Sequence, residues 1–187
     1  MRILNACFVF AAMMTSGTAV FAQSPAPLPP DPDGVTLTPF VGAGFGADLE
    51  SAPVSFGAAL GYGLSTKFAV EGEVFFEPNG TQGDVVEFDT SLWGMSANVL
   101  YHFTGERVTP YVAGGLGFVN VDSELESTGL TGDDTTTQLA WNWGGGIKSA
   151  LNERYGLRAD LRYITGDDLA PSHWRFYGGV VIRNIGQ

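Results

Sequence analysis

An all-β, eight-stranded antiparallel up-and-down transmembrane barrel is the fold this sequence predicts, on three observations. From Val35 onward apolar residues recur every second position, the period of a strand, in eight segments with turn-forming residues between them. One face of every segment is apolar and uncharged, while the other carries glycine and almost every strand charge. The connections alternate between short and long.

Taken in order, the first segment runs from Val35 to Phe45, with Leu37, Val41 and Phe45 on its apolar face and Gly42 and Gly44 on the other. Pro39 lies near its entrance, where a missing N–H is tolerated. The second, Val54 to Leu64, alternates Phe56, Leu60 and Tyr62 with Gly57 and Gly61. After the short "STK" turn, the third runs from Phe68 to Phe76 and sets Glu71 and Glu73 opposite Val70 and Val74. The longer "EPNGTQGDVVEFD" leads to the fourth, Trp93 to Phe103, and "TGERVT" to the fifth, Pro110 to Phe118. That strand opens with "TPYVAGGLG", a near copy of "TPFVGAGFG" in the first, and both copies begin at the same rim. Either a duplicated four-strand half or a shared steric solution accounts for the match. After "DSELESTGLTGDD" comes the sixth segment, Leu139 to Ile147, whose Trp141 and Trp143 oppose Gly144, Gly146 and Lys148. "NERY" precedes the seventh, Leu157 to Tyr163, with Arg158, Asp160 and Arg162 on its polar face. "TGDDLAPSH" precedes the eighth, Trp174 to Ile182, with Arg175, Tyr177, Gly179 and Arg183 opposite its apolar side.

A soluble barrel would turn the apolar face inward, yet a lumen of eight strands barely holds its own lining and could not take so many large side chains. It would also coat its water side with glycine. Pointing the apolar face at lipid resolves both conflicts. Two aromatic bands then mark the membrane interfaces. Phe45, Phe56, Phe76, Trp93, Phe118, Trp141, Tyr163 and Trp174 form the outer one, and Tyr62, Phe68, Tyr101 and Phe103 the periplasmic one. Short turns belong in the periplasm and long loops outside.

Residues 1–22 read as an export signal: Arg2, the apolar run "ACFVFAAMM", then small residues ending at Ala22. Thr15, Ser16, Gly17 and Thr18 interrupt that run too early for a helical span of about 20 residues. The single cysteine, Cys7, falls inside it, so the mature chain is expected to hold no disulfide or thiolate metal site. Residues 23–34, "QSPAPLPPDPDG", contain five prolines and read as a stiff extended tether outside the fold. The barrel domain follows over residues 35–187. Net charge is −11, which argues against nucleic acid.

From Val35 to Ile185 the chain resembles the small outer-membrane barrels of the OmpA transmembrane-domain and OmpX type. The likeness rests on "TPYVAGGLGF" following the short turn after "ANVLYHF", on the strand-and-loop rhythm and on the inward charges. It implies the barrel topology and residence in a Gram-negative outer membrane. No peptidoglycan-binding domain follows in this sequence, so cell-wall tethering is not implied, and the ending "VVIRNIGQ" lacks the terminal aromatic usual in that group.

Two sets of residues are candidates for function. Glu71, Glu73, Lys148, Arg158, Asp160, Arg162, Arg175 and Arg183 all take the lumen parity, with Asn98, His102 and Tyr177 as neighbours. Unpaired charges there would cost several kcal/mol, so interlocking ion pairs are expected. Such a network would act as a polar plug, or else as a gate or proton path. The outer loops hold Asp48, Glu50, Glu77, Asp84, Glu87, Asp89, Asp122, Glu124, Glu126, Asp133, Asp134, Asp167 and Asp168 without a Lys or Arg. The repeated "TGDD" makes Asp133, Asp134, Asp167 and Asp168 candidates for weak divalent-cation loops, although the ligand pattern of a true calcium loop is absent and a solvated acidic rim is the simpler reading. No dedicated metal site and no cofactor are expected.

The function that follows is non-enzymatic: support of the envelope and presentation of acidic loops around a plugged lumen. Expected partners are outer-membrane lipid, lipopolysaccharide and the barrel assembly machinery, and the expected state is a monomer. Two alternatives stay open. One is a narrow gated pore. The other is a lipid A-modifying acyl hydrolase, for which Ser172 and His173, with Asp167 and Asp168 a few residues away in the same loop, supply the residue types at the outer rim.

Overall fold

The computed structural model describes residues 26–46, 53–81, 87–105, 107–127, 130–166 and 172–184. Besides a two-residue strand, β1 (Ala26–Pro27), it contains β2 (Val35–Phe45), β3 (Val54–Gly63), β4 (Phe68–Thr81), β5 (Glu87–His102), β6 (Thr109–Ser127), β7 (Leu130–Ala150), β8 (Tyr155–Gly166) and β9 (His173–Arg183). Each of β2 to β9 pairs antiparallel with its sequence neighbours, and β9 returns to β2, with Phe40 opposite Gly179 and Phe45 opposite Trp174. The ring is therefore closed and has eight strands, as the alternating pattern predicts.

Burial is inverted relative to a water-soluble protein. Leu60, Phe118 and Trp141 are 56–58% exposed, whereas Asp160, Arg162 and Arg175 are each 1% exposed. The apolar alternation thus faces outward on every strand. Aromatic contacts gather at both ends of that belt. Trp143, Tyr163 and Trp174 cluster with ring centroids 5.1–5.7 Å apart, and Phe56 meets Phe76 at 5.4 Å near the same rim. At the opposite rim Phe68, Tyr101 and Phe103 form an edge-to-face series at 5.0–5.1 Å.

Local chemistry makes the short turns. Ser65 Oγ accepts from the Lys67 and Phe68 N–H groups, at 3.2 and 3.0 Å. Asn152 Oδ1 does the same for Arg154 and Tyr155, at 2.9 and 2.8 Å. These side-chain acceptors add to the backbone bonds that close the turns, Ser65 N–H to Phe68 O at 3.1 Å and Asn152 N–H to Tyr155 O at 3.1 Å.

Three expectations need correction. Strands β4 to β7 run past the apolar alternation: β6 and β7 continue as a paired ribbon to Ser127 and Leu130 through residues expected to form a loop. Asp133 and Asp134 are consequently ladder positions opposite Glu124 and Ser123. Glu77, assigned above to a loop, belongs to β4 and is buried. The segment expected to lie outside the fold also packs against it over residues 26–34, with Leu28 buried. Residues 1–25, including the expected export signal, fall outside the described residues, as do Asp167 and Asp168.

Candidate functional site: the barrel lumen

Strands β4 and β8 stand on opposite sides of the eight-membered ring, and their odd and even positions respectively face its centre. Long side chains from the two walls meet there. Glu71 of β4 receives Arg158 Nη1 at 2.5 Å and Nη2 at 3.0 Å, a bidentate pair that fits the planar guanidinium to the carboxylate. Arg162 lies 3.6 Å from the same carboxylate.

Asp160, between the two arginines on β8, accepts from Arg158 at 2.8 Å, from Arg162 Nε at 2.9 Å and from the Tyr111 hydroxyl. Tyr111 in turn accepts from Arg158 Nε at 2.6 Å. Asn142 Oδ1 takes the remaining direction of Arg162 at 2.9 Å. Glu71 and Asp160 balance Arg158 and Arg162, so the group is neutral as a set. Its donors and acceptors are largely consumed internally, which is what a buried charge cluster needs to persist.

A second layer lies nearer the outer rim. Glu73 pairs with Arg175 and accepts from Tyr177 at 3.2 Å. The Arg175 guanidinium also sits 4.1 Å from the centroid of Phe75, whose ring face attracts the cation. Phe40, Phe75, Leu92, Val119, Ala140, Ile164 and Tyr177 form an apolar cluster at this level. Above it, His173 Nε2 stands 3.3 Å from Glu77 Oε2, both side chains being buried.

Toward the short-turn rim, Lys148 lies over the Tyr111 ring at 5.1 Å, and His102 packs against the same ring at 5.3 Å. Asn98 is buried and donates to Ser96 at 3.1 Å. Small residues make this filling possible. A Cβ on Gly146 would lie 2.6 Å from the Tyr111 hydroxyl oxygen, and one on Gly94 would lie 2.5 Å from the Phe75 ring.

The lumen residues read from the sequence therefore converge: Glu71, Arg158, Asp160 and Arg162 in one cluster, Glu73 and Arg175 in the next, Lys148 below. Arg183 does not join them. It is part-exposed at the short-turn mouth of the barrel, 3.5 Å from Asp31. The pattern missed Tyr111, Asn142 and the Glu77–His173 pair. Glu77 carries the parity of Glu71 and Glu73, and His173 that of Arg175, so extending the strands by one pair of positions finds both. Of the hydrolase candidates, His173 points into the lumen rather than toward the outer leaflet, and Ser172 Oγ lies 3.0 Å from Thr165 Oγ1.

Known proteins resemble the chain at the level of fold. The neisserial surface protein A barrel superposes with a TM-score of 0.63 at 17% identity, over 80% of this chain and 96% of that one. Ail, the attachment invasion locus protein of Yersinia pestis, gives 0.62 at 16% identity, over 82% and 99%. The N-terminal barrel domain of Pseudomonas aeruginosa OprF gives 0.53 at 22% identity, over 81% and 98%. No curated protein matches the chain significantly. The family model described as outer membrane protein beta-barrel domain matches residues 8–179. The chain belongs to that family of outer-membrane barrels.

Proposed function

We propose that this protein is a non-enzymatic structural barrel of the Gram-negative envelope, exported by a cleaved leader and inserted by the barrel assembly machinery. Its lumen is stopped by the network between β4 and β8, and its outer rim presents acidic strands and loops. The observation that carries the reading is the bidentate Glu71–Arg158 bridge across the lumen, locked by Asp160, Tyr111 and Arg162. An ion entering the lumen would meet charges already neutralised by one another. To pass, it would have to separate them in a medium that penalises unpaired charge.

The acidic rim adds a surface role. Ladder register sets Asp89 opposite Glu124, and Glu124 opposite Asp133. No Lys or Arg occurs between Arg107 and Lys148. Like charges facing one another across a ladder repel, and divalent cations bridging to lipopolysaccharide phosphates relieve that repulsion. Single-channel recording in planar bilayers tests the plug. The wild type is expected to conduct little, and the Glu71→Ala, Glu73→Ala double variant to show larger or unstable currents. Large steady wild-type currents would instead establish the narrow-pore alternative.

A further inference from the structure

The proline-rich segment before the barrel crosses the lumen mouth. It begins on β7, where Ala26 pairs with Ala150 and Pro27 with Ser149. It ends on β3, where Asp33 N–H donates to the Gly63 carbonyl at 2.9 Å and Gly63 N–H to the Gly34 carbonyl at 3.0 Å. In a ring of eight, β7 and β3 are diametrically opposite. The six residue steps from Pro27 to Asp33 reach about 19 Å in an extended proline-type conformation, at roughly 3.1 Å each. The path has to run over the opening.

The contacts along the way are specific. Leu28 is 3% exposed, and its N–H donates to Thr109 Oγ1 at 2.7 Å. Tyr62 donates to Asp33 Oδ1 at 2.7 Å, and Asp31 lies 3.5 Å from Arg183 on the last strand. Asp33 adopts a left-handed conformation, φ 62°, which Asp tolerates, and the Gly34 N–H closes the turn onto Asp31 O at 2.8 Å. Two barrel glycines give the segment its seat. A Cβ on Gly156 would lie 2.5 Å from Leu28 Cδ2, and one on Gly63 would run into the Asp31 backbone. Pro29, Pro30 and Pro32 bring no N–H groups that would need partners over the opening. Beneath the segment lies a cavity of about 30 Å³, bounded by Leu100, Glu71 and Lys148 on the lumen side. That is room for one or two waters.

We propose that residues 26–34 are a built-in stopper of the periplasmic mouth, which seals the Lys148 end of the lumen from the periplasm and governs access to it. This rests on the lipid-facing orientation of the barrel and is separate from the ion-pair plug above it.

The expected mature chain has no cysteine, so single-cysteine reporters are clean. Leu100→Cys, in protein refolded into nanodiscs, would be probed with a membrane-impermeant maleimide. Modification is expected to be at least tenfold faster when residues 26–33 are deleted, in barrels that still show strand circular dichroism and heat-modifiable gel mobility. Equal rates with and without the segment would overturn the proposal. Should the deletion fail to fold, Leu28→Cys with Gly156→Cys in the full chain decides: copper-catalysed oxidation crosslinks a seated stopper, and failure to crosslink refutes it. Conductance separates this from the plug. Faster labelling with currents still low supports both, whereas faster labelling with large currents supports the stopper and removes the plug.

Discussion

Replacing Glu71 by alanine strips Arg158 of two hydrogen bonds, at 2.5 and 3.0 Å, and Arg162 of a charge 3.6 Å away. Both arginines keep Asp160, at 2.8 and 2.9 Å, but one carboxylate then faces two guanidinium groups with Lys148 nearby. Breaking a buried pair from one side costs about 3–5 kcal/mol. Because Asp160 retains part of the compensation, the lower end, about 3 kcal/mol, is expected here. At 1.4 kcal/mol per factor of ten, that is roughly a 150-fold shift toward the unfolded chain. Urea titration of the barrel in lipid vesicles, followed by tryptophan emission, reads the change. The companion Glu71→Ala, Arg158→Ala variant restores charge balance and is expected to lose less than the sum of the singles, by more than about 1 kcal/mol. A single-variant loss below about 1 kcal/mol, with an additive double, is the behaviour of a solvated surface pair and would refute the reasoning.

Other perturbations probe the remaining layers. Leu116→Arg places a charge in the middle of the lipid-facing belt and should destabilise the barrel by about 2–4 kcal/mol in the same titration. Gly146→Ala drives a methyl against Tyr111, which cannot retreat because it is held by Asp160 and Arg158, and should cost about 1–3 kcal/mol. Lipid A mass spectra from cells with and without the protein should be identical. Loss of an acyl chain that His173→Ala abolishes would establish the hydrolase alternative instead.

Strand existence, parity and the inward set were legible because one physical demand, apolar toward lipid and small or charged toward the lumen, writes itself at every second residue. Where that demand lapses, so does legibility. Beyond the aromatic band "SELESTGLTGDD" carries no two-residue alternation and reads as a loop, although the backbones of β6 and β7 pair as far as Ser127 opposite Leu130. The stopper was hidden for a different reason. Its composition is that of a linker, and its partners Gly63, Thr109, Gly156 and Arg183 lie far along the chain, joined only once the ring closes. Tyr111 has the same lumen parity that revealed Tyr177, but parity alone does not name the carboxylate it meets from β8.

All four tryptophans lie on the outward face, with Trp93, Trp141 and Trp143 39–56% exposed. Quenching of their emission by lipids brominated along the acyl chain is the direct test of that orientation. Strong quenching in vesicles is the expected result. Emission left unchanged by brominated lipid, from a chain that stays folded and monomeric without detergent, would contradict the account.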